Sequence, residues 1–216
     1  MEKNTKQLIL AALMAAFTCI ATMIIKIPTP TFGYIHLGDS LVLLCGIVFG
    51  PFIGGLAAGI GSMLSDIFSG YASWAPATFL IKALTAGIMG FLFRRLKHTL
   101  RVSQYDTLLW SGRIMYKISA HGNSICVIIG GLAGETIMVI GYFLYETALA
   151  AFASGGFTKA ALYAGAVSSA TGIPFNIVQG VVGIVIALAL LPVLLQISDI
   201  RDQILNESKN QSNASL

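Results

Sequence analysis

Apolar runs too long for a soluble core constrain this chain more than any other feature. Stretches near 8–26, 75–95, 124–150 and 172–195 each supply about the 20 residues that cross roughly 30 Å of hydrocarbon, and polar residues collect between them. The hydrocarbon of a bilayer satisfies such runs because a helix pairs its own backbone polar groups internally. A mean hydropathy of +0.83 with 10% charged residues agrees. Spans of this length consume the 216 residues and leave no separate soluble domain, so any chemistry lies within or between helices. The first run follows Lys3 and Lys6, exceeds a signal peptide's apolar region and has no small-residue cleavage site leading into a soluble domain, so it is expected to remain as a span.

Charge placement predicts the number of passes. The segment from Asp39 to Gly50 is short, and Gly50-Pro51 interrupts the apolar pattern before 52–68 begins. Lys3 and Lys6 precede the first span and Arg94, Arg95 and Lys97 follow the 75–95 span, and positive residues favour the cytoplasmic side. An even number of crossings must separate them, which two segments satisfy and one does not. The expectation is a single-domain, all-α integral membrane protein with six transmembrane helices, at 8–26, 39–50, 52–68, 75–95, 124–150 and 172–195. Both termini would be cytoplasmic, with a cytoplasmic loop at 96–122 and a polar tail at 197–216. The net charge of +4 reports this orientation rather than a nucleic-acid surface. Cys19, Cys45 and Cys126 lie in apolar segments without paired spacing and read as small buried hydrophobes, not disulfides or metal ligands.

The polar residues inside the spans carry the functional signal. The stretch Ser65 to Lys82 places Asp66, Tyr71, Trp74, Thr78 and Lys82 around a polar turn. Helix-end anchoring accounts for aromatics there as well as ligand binding does. Lys82, about two turns into its helix, costs roughly 2.5–3.5 kcal/mol if unpaired and so needs a partner, a wet cavity or a ligand. Glu135, Tyr142 and Glu146 share one stripe of their helix, and Asn176 and Gln179 share a side of the last one. Asp66 and Glu146 are expected to offset Lys82, giving a site near electrical balance that suits a neutral or weakly charged heteroaromatic ring and not a phosphate. Two prolines and two glycines between Pro28 and Asp39 exclude a helix there; the segment is a connector or a lid carrying Tyr34 and His36, and Asp39-Ser40 reads as an N-cap. No phosphate-binding loop occurs, and His36, His98 and His121 all fall in loops, so neither ATP hydrolysis nor intramembrane proteolysis is expected. No catalytic residue and no metal ligand is assigned.

Five features in order carry a resemblance: the small-residue stripe Ala11-Ala12-x-x-Ala15-Ala16, the loop ending Gly33-Tyr34-Ile35-His36-Leu37-Gly38-Asp39, the turn Gly50-Pro51-Phe52-x-Gly54, the loop from Ser65-Asp66 to Pro76, and Asn176-x-x-Gln179. Together they resemble the substrate-binding S component of an energy-coupling factor (ECF) transporter over nearly the whole chain. The subgroup serving hydroxymethylpyrimidine and pyridoxine is nearest, with riboflavin carriers more distant. The resemblance implies no enzymatic activity and a binding subunit for a small vitamin in the plasma membrane of a prokaryote. It also implies an outer pocket capped by the first loop, and docking of Ala11, Ala12, Ala15 and Ala16 on a transmembrane coupling subunit. Two partner ATPases would hydrolyse the ATP, leaving this chain without a cofactor and with vitamin, module and lipid as its partners. The expected substrate contacts are Tyr34, His36, Asp66, Trp74, Thr78, Lys82, Glu135, Tyr142, Glu146, Asn176 and Gln179. A stand-alone transporter in which Glu135 or Glu146 carries a proton is the alternative from another class.

Overall fold

The computed structural model describes residues 2–24, 26–28, 34–105, 112–201 and 203–204. Residues 29–33 of the Pro-rich loop, the side chains of Tyr34, His98, Arg101, Arg113, Lys117 and His121, and the tail from 205 lie outside what it describes. The described residues are mainly helical, with one short ladder: α1 (Glu2–Ile24), β1 (Lys26–Pro28), β2 (Tyr34–His36), α2 (Asp39–Phe68), α3 (Ala75–Tyr105), α4 (Gly112–Ala153), α5 (Lys159–Ala170) and α6 (Ile173–Leu194). Among the described residues, five helices are long and apolar enough to cross a membrane: those containing Asn4–Ile24, Asp39–Phe68, Ala75–Lys97, Asn123–Ala153 and Ile173–Leu194.

The segments expected at 39–50 and 52–68 run as one helix, α2, broken at a single residue. Gly50 has φ 77° and ψ −168°, a conformation open to glycine and strained for other residues. The chain folds back there. A straight helix would separate Cys45 and Gly54 by about 13 Å along its axis, yet a side chain at Gly54 would run into the Cys45 carbonyl. The contacts with α3 give the direction of each half. Asp39 meets Lys82, Gly46 meets Ala86 and Gly90, and Gly50 meets Arg94, so the first half runs parallel to α3. Gly59 against Phe79, Gly55 against Ala83 and Pro51 against Gly87 make the second half antiparallel. Glycine permits this close packing: a Cβ at Gly46 would strike the Ala86 carbonyl oxygen, and small residues replace the missing hydrophobic drive between helices in lipid.

The first half of α2 is sheathed on every side. Val42, Leu43, Leu44, Ile47, Val48 and Phe49 are buried, as a uniformly apolar segment at a bundle centre should be. Around it stand α1, α3 and α6, with α4 bridging α3, α5 and α6. Ile200 and Ile204, at the start of the expected polar tail, also join the core. On the outside, Leu8, Ile9, Phe17, Phe52, Leu80 and Leu84 are exposed, an arrangement that lipid accepts and water would not.

Two further boundaries differ from the sequence reading. The expected loop at 96–122 is mostly helix, because α3 continues to Tyr105 and α4 starts at Gly112. Charged residues mark where hydrocarbon ends, and a helix continues past that level without penalty. In the connector after α1, Lys26 pairs with His36, Ile27 with Ile35 and Pro28 with Tyr34 in an antiparallel ladder.

Candidate functional site

The ladder delivers His36 and Asp39 to one end of the bundle. Asp39 occupies the first turn of α2, behind a Gly38 N-cap that makes no side-chain capping bond. Its carboxylate does not cap the helix as the sequence suggests. It forms an ion pair with Lys82 of α3, both side chains fully buried, and accepts a hydrogen bond from Gln179 Nε2 of α6 at 2.6 Å. The helix dipole adds to this arrangement, because an anion in a first turn is favoured. The other end of the Gln179 amide accepts from the His36 backbone N–H at 2.8 Å, so one side chain ties β2 to α2 and α6. The His36 ring is fixed too: Nδ1 accepts from the Gly38 N–H at 3.0 Å, leaving Nε2 to carry the proton. Burial pushes the His36 imidazole down to about 4, outweighing the opposing pull of Asp39, so the ring is neutral near pH 7.

Lys82 therefore has a partner other than the expected Asp66 and Glu146. Its ammonium also stands 5.3 Å from the Tyr142 ring centroid, a cation–π distance. Tyr142 of α4 donates to Thr78 Oγ1 at 3.3 Å, one turn before Lys82 on α3. Trp74 covers this pair, 6.3 Å from the Tyr142 ring and 5.3 Å edge-on from Tyr145. The Tyr145 hydroxyl donates to the Ser73 carbonyl and closes the aromatic cluster. Asp66, in the last turn of α2, is buried and acts electrostatically on both tyrosines.

Glu135 lies below this cluster on α4. It is 5% exposed, neither carboxylate oxygen has a hydrogen-bond partner among the described residues, and both Asp39 and Lys82 are within its electrostatic reach. Glu146 and Asn176 are buried as well. The structure thus brings His36, Thr78, Lys82, Glu135, Tyr142, Trp74 and Gln179 into one connected region. Tyr34 contributes its backbone to β2. The sequence reading missed Asp39, which a helix-cap role seemed to explain, along with Tyr145 and Gly180. A signal for Asp39 existed: a buried lysine demands an acid, and Asp39 stands just before the apolar run from Leu41 to Phe49.

The alanine stripe divides. Ala11 is buried, and Ala15 packs on α2, where a side chain at Gly61 would hit its carbonyl. Ala12 and Ala16 face outward.

This chain and its fold have relatives. A model of the family "ECF-type riboflavin transporter, S component" matches residues 2–196. The chain belongs to that family. An uncharacterised protein of Pyrococcus woesei is 31% identical over 176 residues, spanning 81% of this chain and 97% of that protein. Among solved structures, an S component of a bacterial ECF transporter aligns with a TM-score of 0.55 at 20% identity, covering 89% of this chain and 97% of its own. ThiT from Listeria monocytogenes aligns at 0.51 and 19% identity, covering 91% and 97%. At those identities the likeness speaks to the fold. This S component is a membrane protein of a transport family, not of an enzyme family, and such components take a vitamin-type substrate in concert with the subunits of an ECF module.

Proposed function

We propose that this S component captures riboflavin from outside a prokaryotic plasma membrane and passes it inward through a coupling subunit served by two ATPases. The observation that carries the reading is the buried Asp39–Lys82–Gln179 network, which ties the connector after α1 to three helices beside the Trp74–Tyr142 aromatic pair. Aromatic faces offer stacking, while Glu135 and Asn176 offer polar contacts to a heteroaromatic ring. The family supports riboflavin, and pyridoxine or hydroxymethylpyrimidine are smaller rings that the same groups suit. The reversal at Gly50 supports counting α2 as two passes, which makes six and returns both termini to the cytoplasmic side. The outward faces of Ala12 and Ala16 form the docking stripe, with ATP hydrolysed by the partners.

Isothermal titration of the detergent-solubilised chain with riboflavin, pyridoxine and hydroxymethylpyrimidine tests the substrate, and riboflavin should bind tightest. Failure of all three refutes the ring-vitamin reading. Glu135, a buried acid, favours one rival, a proton-coupled carrier acting alone. Uptake by cells expressing this chain without any ECF module would establish that rival.

A further inference from the structure

The outward side of the bundle is cut by a groove where the second half of α2 meets α3. The two helices approach through small residues: a Cβ at Gly55 would lie 2.9 Å from the Ala83 carbonyl oxygen, and one at Gly87 would meet the Pro51 carbonyl oxygen at 3.4 Å. Phe52 and Leu56 project on one side of that seam and Leu84 and Phe91 on the other, all of them exposed and Phe52 by 84%. The groove between these rims has a volume of about 450 Å³, within the roughly 300–1,000 Å³ of sites that hold a small ligand. Every residue lining it is apolar, so it suits hydrocarbon and not a polar vitamin.

Charge at one end of the groove narrows the choice of occupant. Leu84, Ile88, Phe91 and Arg95 follow one another at steps of four, three and four, so Arg95 continues the α3 wall. Arg95 is exposed, and its guanidinium stands 5.8 Å from the Phe91 ring centroid, a cation–π placement over the end of the groove. Arg94 lies at the same level against the α2 break, where a Cβ on Gly50 would run into its guanidinium. α3 carries no acidic residue and α2 none between Asp39 and Asp66, so both walls are positive at this end. We propose that the α2–α3 groove binds an anionic phospholipid, with an acyl chain between Phe52 and Phe91 and the phosphate at Arg95 beside Arg94. A guanidinium fork matches phosphate geometry, and basic pockets between transmembrane helices select anionic headgroups. On the topology proposed above this end is cytoplasmic, so the lipid comes from the inner leaflet. A partner helix fits less well, because helices pack in lipid on small, flat faces, whereas bulky rims stand proud here.

Dioleoylphosphatidylglycerol and dioleoylphosphatidylcholine, which share their acyl chains and differ in headgroup charge, make the test. By native mass spectrometry the detergent-solubilised chain should bind the phosphatidylglycerol about 5- to 30-fold more tightly, the range for one or two arginines near an anionic headgroup. Arg95→Gln should lose about 5-fold of that preference and leave phosphatidylcholine binding unchanged, whereas Gly87→Leu, which fills the groove, should weaken both lipids. Neither position is buried, and a Cβ at Gly87 makes only ordinary contact, so both variants should fold. Thermal unfolding supplies an independent readout: phosphatidylglycerol should raise the parent's midpoint more than phosphatidylcholine does, and Arg95→Gln should narrow that difference. Equal binding of the two lipids by the parent, or a preference that survives both substitutions, reveals non-selective annular contact and overturns the proposal. A dimer that Gly87→Leu dissociates, or loss of ECF-module capture in that variant with lipid binding intact, would seat a protein in the groove and overturn it as well.

Discussion

Lys82→Met should be among the most damaging single substitutions in this chain, and the structure sets the size of the effect. Both members of the Asp39–Lys82 pair are fully buried, so solvent does not screen the interaction. Removing the ammonium strands the Asp39 carboxylate with the Gln179 amide as its remaining side-chain donor. Breaking a buried pair from one side costs about 3–5 kcal/mol, or roughly 150- to 5,000-fold in the folding equilibrium. Asp39→Asn should cost less, because the freed ammonium still faces the Tyr142 ring and has Glu135 within electrostatic reach. The double variant Asp39→Asn/Lys82→Met removes both charges, and its Asn oxygen still accepts from Gln179. It should recover to within about 1.5 kcal/mol of the parent, since an apolar replacement of a whole buried pair is often neutral. Denaturant unfolding in detergent, run as a double-mutant cycle, measures each step. If Lys82→Met unfolds like the parent, or if the double variant is as unstable as the sum of the singles, the pair is not the coupled unit described above.

Three further outcomes follow from the same geometry. Ala12→Leu and Ala16→Leu should abolish vitamin uptake in cells carrying the ECF module while leaving riboflavin titrations of the isolated chain unchanged; loss of both would make the stripe internal packing. Acidification should loosen the connector: a His36 ring at about 4 when folded and about 6.5 when exposed leaves stability intact above pH 6.5 and withdraws about 2 kcal/mol by pH 5. Hydrogen exchange at Ile35 to Gly38 should therefore accelerate between pH 6.5 and 5 in the parent and not in His36→Gln. Gly50→Ala should lower the unfolding midpoint by at least the roughly 1–2 kcal/mol of a left-handed non-glycine residue, because its methyl also meets the Arg94 guanidinium; an unchanged midpoint would refute the reversal.

What the sequence disclosed and what it concealed divides along a physical line. Lipid imposes its demands locally, so spans, small-residue faces and the break at Gly50-Pro51 are legible from consecutive residues. The even-crossing argument from Lys3, Lys6 and Arg94 required a reversal near residue 50, and the chain folds back there. Helix ends were less legible, since α3 and α4 continue into charged sequence where no hydrophobic signal marks a stop. The site was legible as a set of residue types and illegible as a set of pairs. Lys82 announced its need for a partner, but Asp39 lies 43 positions away and satisfied a simpler local reading as a cap.

That distinction bears on how the site works. Had Asp66 and Glu146 neutralised Lys82, the lysine would be available to a ligand and its charge would help set specificity. Pairing with Asp39 instead makes Lys82 part of the frame. The ammonium fixes the start of α2, Gln179 transmits that position to β2, and the connector after α1 is held against the bundle. On the proposed reading, recognition would fall to groups outside this frame, the aromatic cluster of Trp74, Tyr142 and Tyr145 and the Glu135 carboxylate. A substitution in the frame should therefore lower affinity for every ring vitamin alike, whereas one at Glu135 should change which ring is preferred. Titrating Gln179→Leu and Glu135→Leu against riboflavin and 3-methylriboflavin separates the two roles: the first should weaken both ligands by a common factor, and a change in their ratio would move Gln179 from the frame into the recognition surface.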